Sequence, residues 1–172
     1  MQYSIILGDI ATIKADAIVN SSNASLQKGS GMCKTIYERA GERELSAYLK
    51  DCDSLPCGHA IVTPAFALPA KYIIHTVTPK YYLAQNDRSI LLSQCYSAIL
   101  QAAAFYQINT LAIPCLGVGH HGWPLAEAAT IGVKTLQWRL EELNTPTALQ
   151  KIIFVCHTQE QYAAYSKFIF PL

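Results

Sequence analysis

The residues that could do chemistry fall into four short stretches. These are Gly8-Asp9-Ile10, the run Asn20-Ser21-Ser22-Asn23 followed by Gly29-Ser30-Gly31, the run Gly117-Val118-Gly119-His120-His121-Gly122, and Cys156-His157-Thr158. Glycine at a helix mouth lets several backbone N–H groups converge on an anion, and the helix dipole adds partial positive charge. Two such loops, Gly29–Gly31 and Gly117–Gly119, could clasp a diphosphate from opposite sides without a lysine or arginine; read singly, each only permits a tight turn. Asp9 could accept from the exocyclic amine of a base, or cap the segment that follows it. Asn20 and Asn23 carry donors and acceptors suited to ribose hydroxyls or a positioned water, and equally suited to tying down their own loop. His120, His121 and His157 could serve as ligands, bases or stacking surfaces, or do none of these.

All four stretches follow short apolar runs rich in β-branched residues. The pattern predicts strands over Tyr3–Leu7, Ala17–Val19, His59–Thr63, Tyr72–Val77, Thr110–Pro114 and Lys151–Cys156. Apolar residues spaced by three and four predict helices over Cys33–Ala40 with Glu42–Lys50, Ser89–Tyr106, Pro124–Glu142 and Gln159–Phe168. Strands apolar throughout imply a mostly parallel sheet covered on both faces, and the alternation implies an α/β fold, a three-layer α-β-α sandwich. Ligands of such sheets bind beyond the carboxyl ends of the strands, so the loops after the strands matter most. With no repeat, low-complexity tract or linker, residues 1–172 are expected to form one domain.

Composition narrows the function. Hydrophobic residues make up 51% and charged residues 15%, which excludes a disordered segment. Thirteen basic against twelve acidic residues give a net charge of +1, so general nucleic-acid binding is not expected. No apolar run approaches the roughly 20 residues that span a bilayer, and Met1-Gln2-Tyr3-Ser4 does not open like a secretory signal. No membrane association is expected. Six cysteines at irregular spacing, with no C-x-x-C, fit small buried hydrophobes in a reducing, cytoplasmic setting rather than disulfides or a metal site. The expectation is no metal and no cofactor.

In order along the chain, Gly8-Asp9-Ile10, Ala17-Ile18-Val19-Asn20-Ser21-Ser22-Asn23, Gly29-Ser30-Gly31-Met32, Leu68-Pro69-Ala70-Lys71-Tyr72-Ile73-Ile74-His75-Thr76-Val77 and Gly119-His120-His121-Gly122-Trp123-Pro124 resemble the macro domain family. The resemblance runs from about residue 3 to residue 166. It implies a mixed sheet between helices and a crevice for ADP-ribose, free or attached to a protein. By position, Asp9 would hold the adenine amino group with Ile10 beside it, and His157 would stack on the base. Asn20 and Asn23 would border the distal ribose. Gly29, Ser30, Gly31 and Met32 would form the first diphosphate loop, and Gly117, Val118, Gly119, His120 and His121 the second.

Two departures bear on chemistry. Hydrolytic members resemble one another in a Val-Asp-Gly after the first-loop glycines, and here Met32-Cys33-Lys34 stands there. The aromatic residue of a Gly-Ile-Tyr-Gly pattern is replaced by His121. The leading expectation is still hydrolysis of mono-ADP-ribosyl or O-acetyl-ADP-ribose linkages. Asn23 would orient the distal ribose and a water, and the ligand's own phosphate would act as base. The alternative is a non-catalytic reader of ADP-ribosylated proteins, which the missing acid favours. Cys33 itself is either a nucleophile at a helix N-terminus beside Lys34, or a small residue tolerated beside the ligand.

Overall fold

A computed structural model describes residues 1–83, 86–142 and 148–169. Six strands form one sheet: β1 (Gln2–Leu7), β2 (Ala15–Ser21), β3 (Ala60–Pro64), β4 (Ala70–Thr76), β5 (Thr110–Pro114) and β6 (Lys151–Cys156). Their order is β1-β6-β5-β2-β4-β3, and every neighbouring pair is parallel except β3 with β4. Five helices, α1 (Gly31–Ala40), α2 (Glu42–Leu49), α3 (Arg88–Phe105), α4 (Leu125–Glu142) and α5 (Gln159–Ile169), cover it. The three-layer α-β-α sandwich with a mostly parallel mixed sheet is the observed architecture.

Side chains alternate across the sheet, which sorts the core into two layers. Ala17 and Val19 of β2, with Ile152, Phe154 and Cys156 of β6, pack with α3, α4 and α5. Ile18, Ile153 and Val155 face the other way and pack with α1 and α2. Helix α1 buries Cys33, Ile36, Tyr37 and Ala40, one stripe at helical spacing, and stops at Gly41, where φ is +104°. Among the described residues no helix is long and apolar enough to cross a membrane.

Strand β2 is longer than its apolar run because Ala15, Asn20 and Ser21 at its ends pair in register with β4, Ala15 opposite Ala70, Asn20 opposite His75 and Ser21 opposite Thr76. At the amino end of the sheet, one Asp16 oxygen accepts from Asn109 N (3.0 Å), Thr110 N (2.9 Å) and Thr110 Oγ1 (3.1 Å). The other lies 2.8 Å from Lys71 Nζ. The Lys71 bond, aided by the donors of residues 109 and 110, holds this carboxyl below its ordinary pKa. One side chain thus joins β2, β4 and the start of β5. A 3-10 turn over Ile10–Thr12, absent from the apolar pattern, follows β1.

The chain leaves β2 for α1 on one face and leaves β5 for α4 on the other, although β2 and β5 are neighbours. Loops that diverge from adjacent parallel strands open a crevice between them, and this is where such folds bind ligands.

Candidate functional site

The first loop starts at Asn20, which is fully buried. Its Nδ2 donates to His75 Nδ1 at 3.1 Å and to Cys33 Sγ at 3.6 Å. Because Nδ1 accepts from an amide, the His75 proton sits on Nε2, which donates to Thr63 Oγ1 at 3.0 Å; the Thr63 hydroxyl in turn donates to Pro64 O at 3.0 Å. Burial lowers the His75 pKa to about 4, so the ring is a neutral strut. Asn20 Oδ1 and Ser22 Oγ, both buried at the carboxyl end of β2, have no hydrogen-bond partner among the described residues.

Asn23 folds the segment after β2 upon itself. Its Nδ2 donates to Gln27 O (2.7 Å), and its Oδ1 accepts from Gln27 N (3.0 Å) and Ser25 Oγ (2.9 Å). A Cβ on Gly29 would lie 3.5 Å from Asn23 Nδ2 and from Cys33 Sγ, so these three residues converge. Cys33 is 6% exposed and packs in the core layer of α1. No histidine hydrogen-bonds its sulfur among the described residues, which leaves it placed as a fitted small residue rather than as an activated nucleophile. Ser30 is the extended N-cap of α1 and makes no side-chain cap bond, while Gly31 opens the helix at φ +55°. The first-turn N–H groups of α1, including those of Met32 and Cys33, therefore have no side-chain cap between them and an anion.

The second loop is folded over Trp123. Gly117 adopts φ +85°, and a Cβ there would meet Trp123 Cδ1 at 2.6 Å. Trp123 N donates to Gly117 O (3.1 Å), Gly122 N to Gly119 O (3.0 Å), and Trp123 Nε1 to Pro79 O (2.8 Å). Gly119 has open space where a side chain would stand. Val118 is half-buried and His120 exposed. His121 is half-buried, with Nδ1 hydrogen-bonded to Thr78 Oγ1 and its carbonyl accepting from Tyr81 N at 2.9 Å. Burial, then Lys80 and His120, lower the His121 pKa below its ordinary value.

At the other end of the crevice, Asp9 and His157 follow the paired ends of β1 and β6, with Gly8 N donating to Cys156 O at 2.8 Å. Asp9 caps the 3-10 turn, one oxygen accepting from Ala11 N at 2.9 Å, while the other lies 3.2 Å from Arg39 Nη2. The capping role is thus realised, and the carboxylate is only partly exposed. Ile10 is buried beneath α1, in the core rather than on the surface. His157 is exposed, and its N–H donates to Gln161 Oε1 at 2.8 Å.

The strand order therefore lines up Asp9 and His157, then Gly117–His121, then Asn20–Gly31, along one edge of the sheet. Three inter-strand steps of roughly 4.8 Å separate the ends of β1 and β2, so the row spans about 14 Å. Residue types alone did not mark Thr78, His75 or Trp123. Thr78 follows the carboxyl end of β4, so the parallel pairing of β2 with β4 was the signal that could have found it.

The macro domain family model matches residues 19–132. An O-acetyl-ADP-ribose deacetylase of Klebsiella pneumoniae (strain 342) is 36% identical, the match covering 98% of this chain and 97% of the relative. A macro domain-containing protein of Ralstonia nicotianae is 37% identical over 91% of this chain and 88% of its own length. Among solved structures, a mutant Oceanobacillus iheyensis macrodomain with ADPR superposes with a TM-score of 0.88 at 29% identity, covering 96% of this chain and 90% of that one. The Trypanosoma brucei macrodomain in complex with ADP gives 0.89 at 28% identity, covering 98% and 69%.

Proposed function

The chain belongs to the macro domain family, and from that premise we propose that its crevice binds ADP-ribose and hydrolyses an acyl ester on the distal ribose, O-acetyl-ADP-ribose first among them. The observation that carries this reading is the pairing of two backbone anion sites on adjacent strands. The α1 N-terminus, free of a side-chain cap, follows β2, and the positive-φ turn at Gly117 follows β5. Such donors hold a diphosphate in a chain whose net charge is only +1.

With the diphosphate between these loops, Asp9 and His157 receive the adenine end. Asn23 and His121 border the distal ribose. Asn20, enclosed against His75, supports this end from beneath the surface. Holding a water between the ligand and Asn23 turns hydrolysis into an effectively intramolecular event. The same geometry accommodates the ester between ADP-ribose and a protein carboxylate, which would make the chain a de-ADP-ribosylating enzyme. Six free thiols support a cytoplasmic setting.

The test pairs calorimetric titration of ADP-ribose with acetate release from O-acetyl-ADP-ribose. Asn23→Ala is expected to lose most turnover while losing less affinity. A variant that turns over at the parent rate removes Asn23 from the mechanism. The second reading, a non-catalytic reader, is favoured by Cys33 at the position where hydrolytic relatives carry an acid. Prolonged incubation with a mono-ADP-ribosylated protein decides between them, since a reader leaves the modification attached.

A further inference from the structure

His121 is the one ring of the second loop tied to the strand end that issues the Asn23 loop. Its Nδ1 bonds Thr78 Oγ1, and Thr78 Oγ1 lies 3.2 Å from Ser21 Oγ, at the last residue of β2. Thr78 is 2% exposed, so the middle of this chain of groups is enclosed by protein. The loop backbone is held as well, by the bond from Tyr81 N to His121 O. Nε2 makes no hydrogen bond among the described residues. An imidazole oriented at one nitrogen and free at the other has the arrangement that general-base catalysis requires.

We propose that His121, through Nε2, is the general base that activates the hydrolytic water, with Thr78 and Ser21 as positioning residues that orient its ring. The inference rests on reading the crevice as an ester hydrolase. In the resting state Nδ1–H donates to Thr78 Oγ1, which donates to Ser21 Oγ, leaving the lone pair on Nε2. Water gives a proton to Nε2 as its oxygen bonds to the ester carbonyl carbon. Collapse of the adduct breaks the bond from that carbon to the ribose oxygen, and Nε2–H returns the proton to that oxygen. The products are the carboxylic acid and ADP-ribose, and the ring ends neutral.

The surroundings suit this role. Burial first, then Lys80, which follows Thr78 and Pro79, and the neighbouring His120, oppose a second proton on the ring. Tyr81, Tyr82 and Asp87 are the other titratable groups of the described segment between β4 and α3, and Glu127 of α4 is taken by Tyr81 Oη at 3.0 Å. No carboxylate hydrogen-bonds the ring among the described residues. The ring is therefore neutral, and able to accept a proton, at neutral pH. A diphosphate acting as base would have no ionisation in the imidazole range, so pH separates the two.

The experiment measures acetate release from O-acetyl-ADP-ribose across about pH 5 to 8, and ADP-ribose binding by calorimetry, for the parent, His121→Phe, His121→Ala and Thr78→Val. The parent kcat/KM is expected to rise with pH along one ionisation below about 6.5 and then level. His121→Phe should bind ADP-ribose within about threefold of the parent yet lose at least about 100-fold in kcat. Added imidazole should restore part of the rate to His121→Ala, and Thr78→Val should shift the pH midpoint. A His121→Phe protein with unchanged kcat, or with its whole loss in KM, overturns the base role and leaves the hydrolase reading intact. A parent that binds ADP-ribose but releases no acetate overturns both.

Discussion

Asn20 and His75 face each other across the parallel register of β2 and β4, with the amide nitrogen 3.1 Å from Nδ1. Both side chains are fully buried, and the pair connects Thr63 on the edge strand β3 to Cys33 at the start of α1. A polar chain of this kind works only if each member is neutral and correctly oriented.

The pair makes stability depend on pH. Burial lowers the His75 pKa from 6.5 to about 4, so below 6.5 the unfolded chain takes up a proton that the folded one refuses. Stability is thus fully present above about pH 6.5, falls as the pH drops toward 4, and levels below it; the loss is on the order of 3 kcal/mol. His75→Gln keeps an acceptor for Asn20 and a donor for Thr63, and should flatten this part of the profile. Urea midpoints at steps between these two pH values check it.

Gly117→Ala combines a disfavoured φ of +85° with a contact of 2.6 Å on Trp123. The expected cost is about 2 kcal/mol or more, together with weaker ADP-ribose binding, because the second loop must lift off the indole. Thermal unfolding and calorimetry together would expose an error here: a variant with parental Tm and affinity means the loop rearranges freely.

Asp9→Asn separates capping from recognition. Its side-chain oxygen can still accept from Ala11 N, as Asp9 Oδ1 does at 2.9 Å, so unfolding should change by no more than the partly exposed Arg39 pair contributes, about 1 kcal/mol or less. Its amide, however, would present a donor where an adenine amine also donates, and affinity for ADP-ribose should fall about tenfold or more. Titration with ADP-ribose and inosine-containing analogues reads the difference; equal loss for both would remove Asp9 from base recognition.

Cys33 should resist alkylation. It is 6% exposed, whereas Cys52 is open to solvent. Iodoacetamide on the native protein is expected to modify Cys52 first and spare Cys33, as read by peptide mass spectrometry. Prompt modification of Cys33 would revive its candidacy as a nucleophile.

Elements whose burial follows from their own side chains were legible in the sequence. β5 and β6 start and end where their apolar runs do, over Thr110–Pro114 and Lys151–Cys156. β2 outran its apolar centre because its polar ends are held by neighbours, which local pattern cannot show. The same divide runs through the site. Glycine loops and polar residues at strand ends were visible by type. The Asn20–His75 and Thr78–His121 bonds were not, since they join residues 55 and 43 positions apart and depend on strand register.

Asp16 bears on how such a molecule can change over generations. Its carboxylate fastens β2, β4 and β5 at the ends of the strands opposite the crevice, and none of its partners belongs to the loops after β2 and β5. Replacements in those loops, such as the thiol at position 33 or the imidazole at 121, leave this clamp untouched. A lineage can therefore audition new ligands at one rim while the opposite rim preserves the strand order.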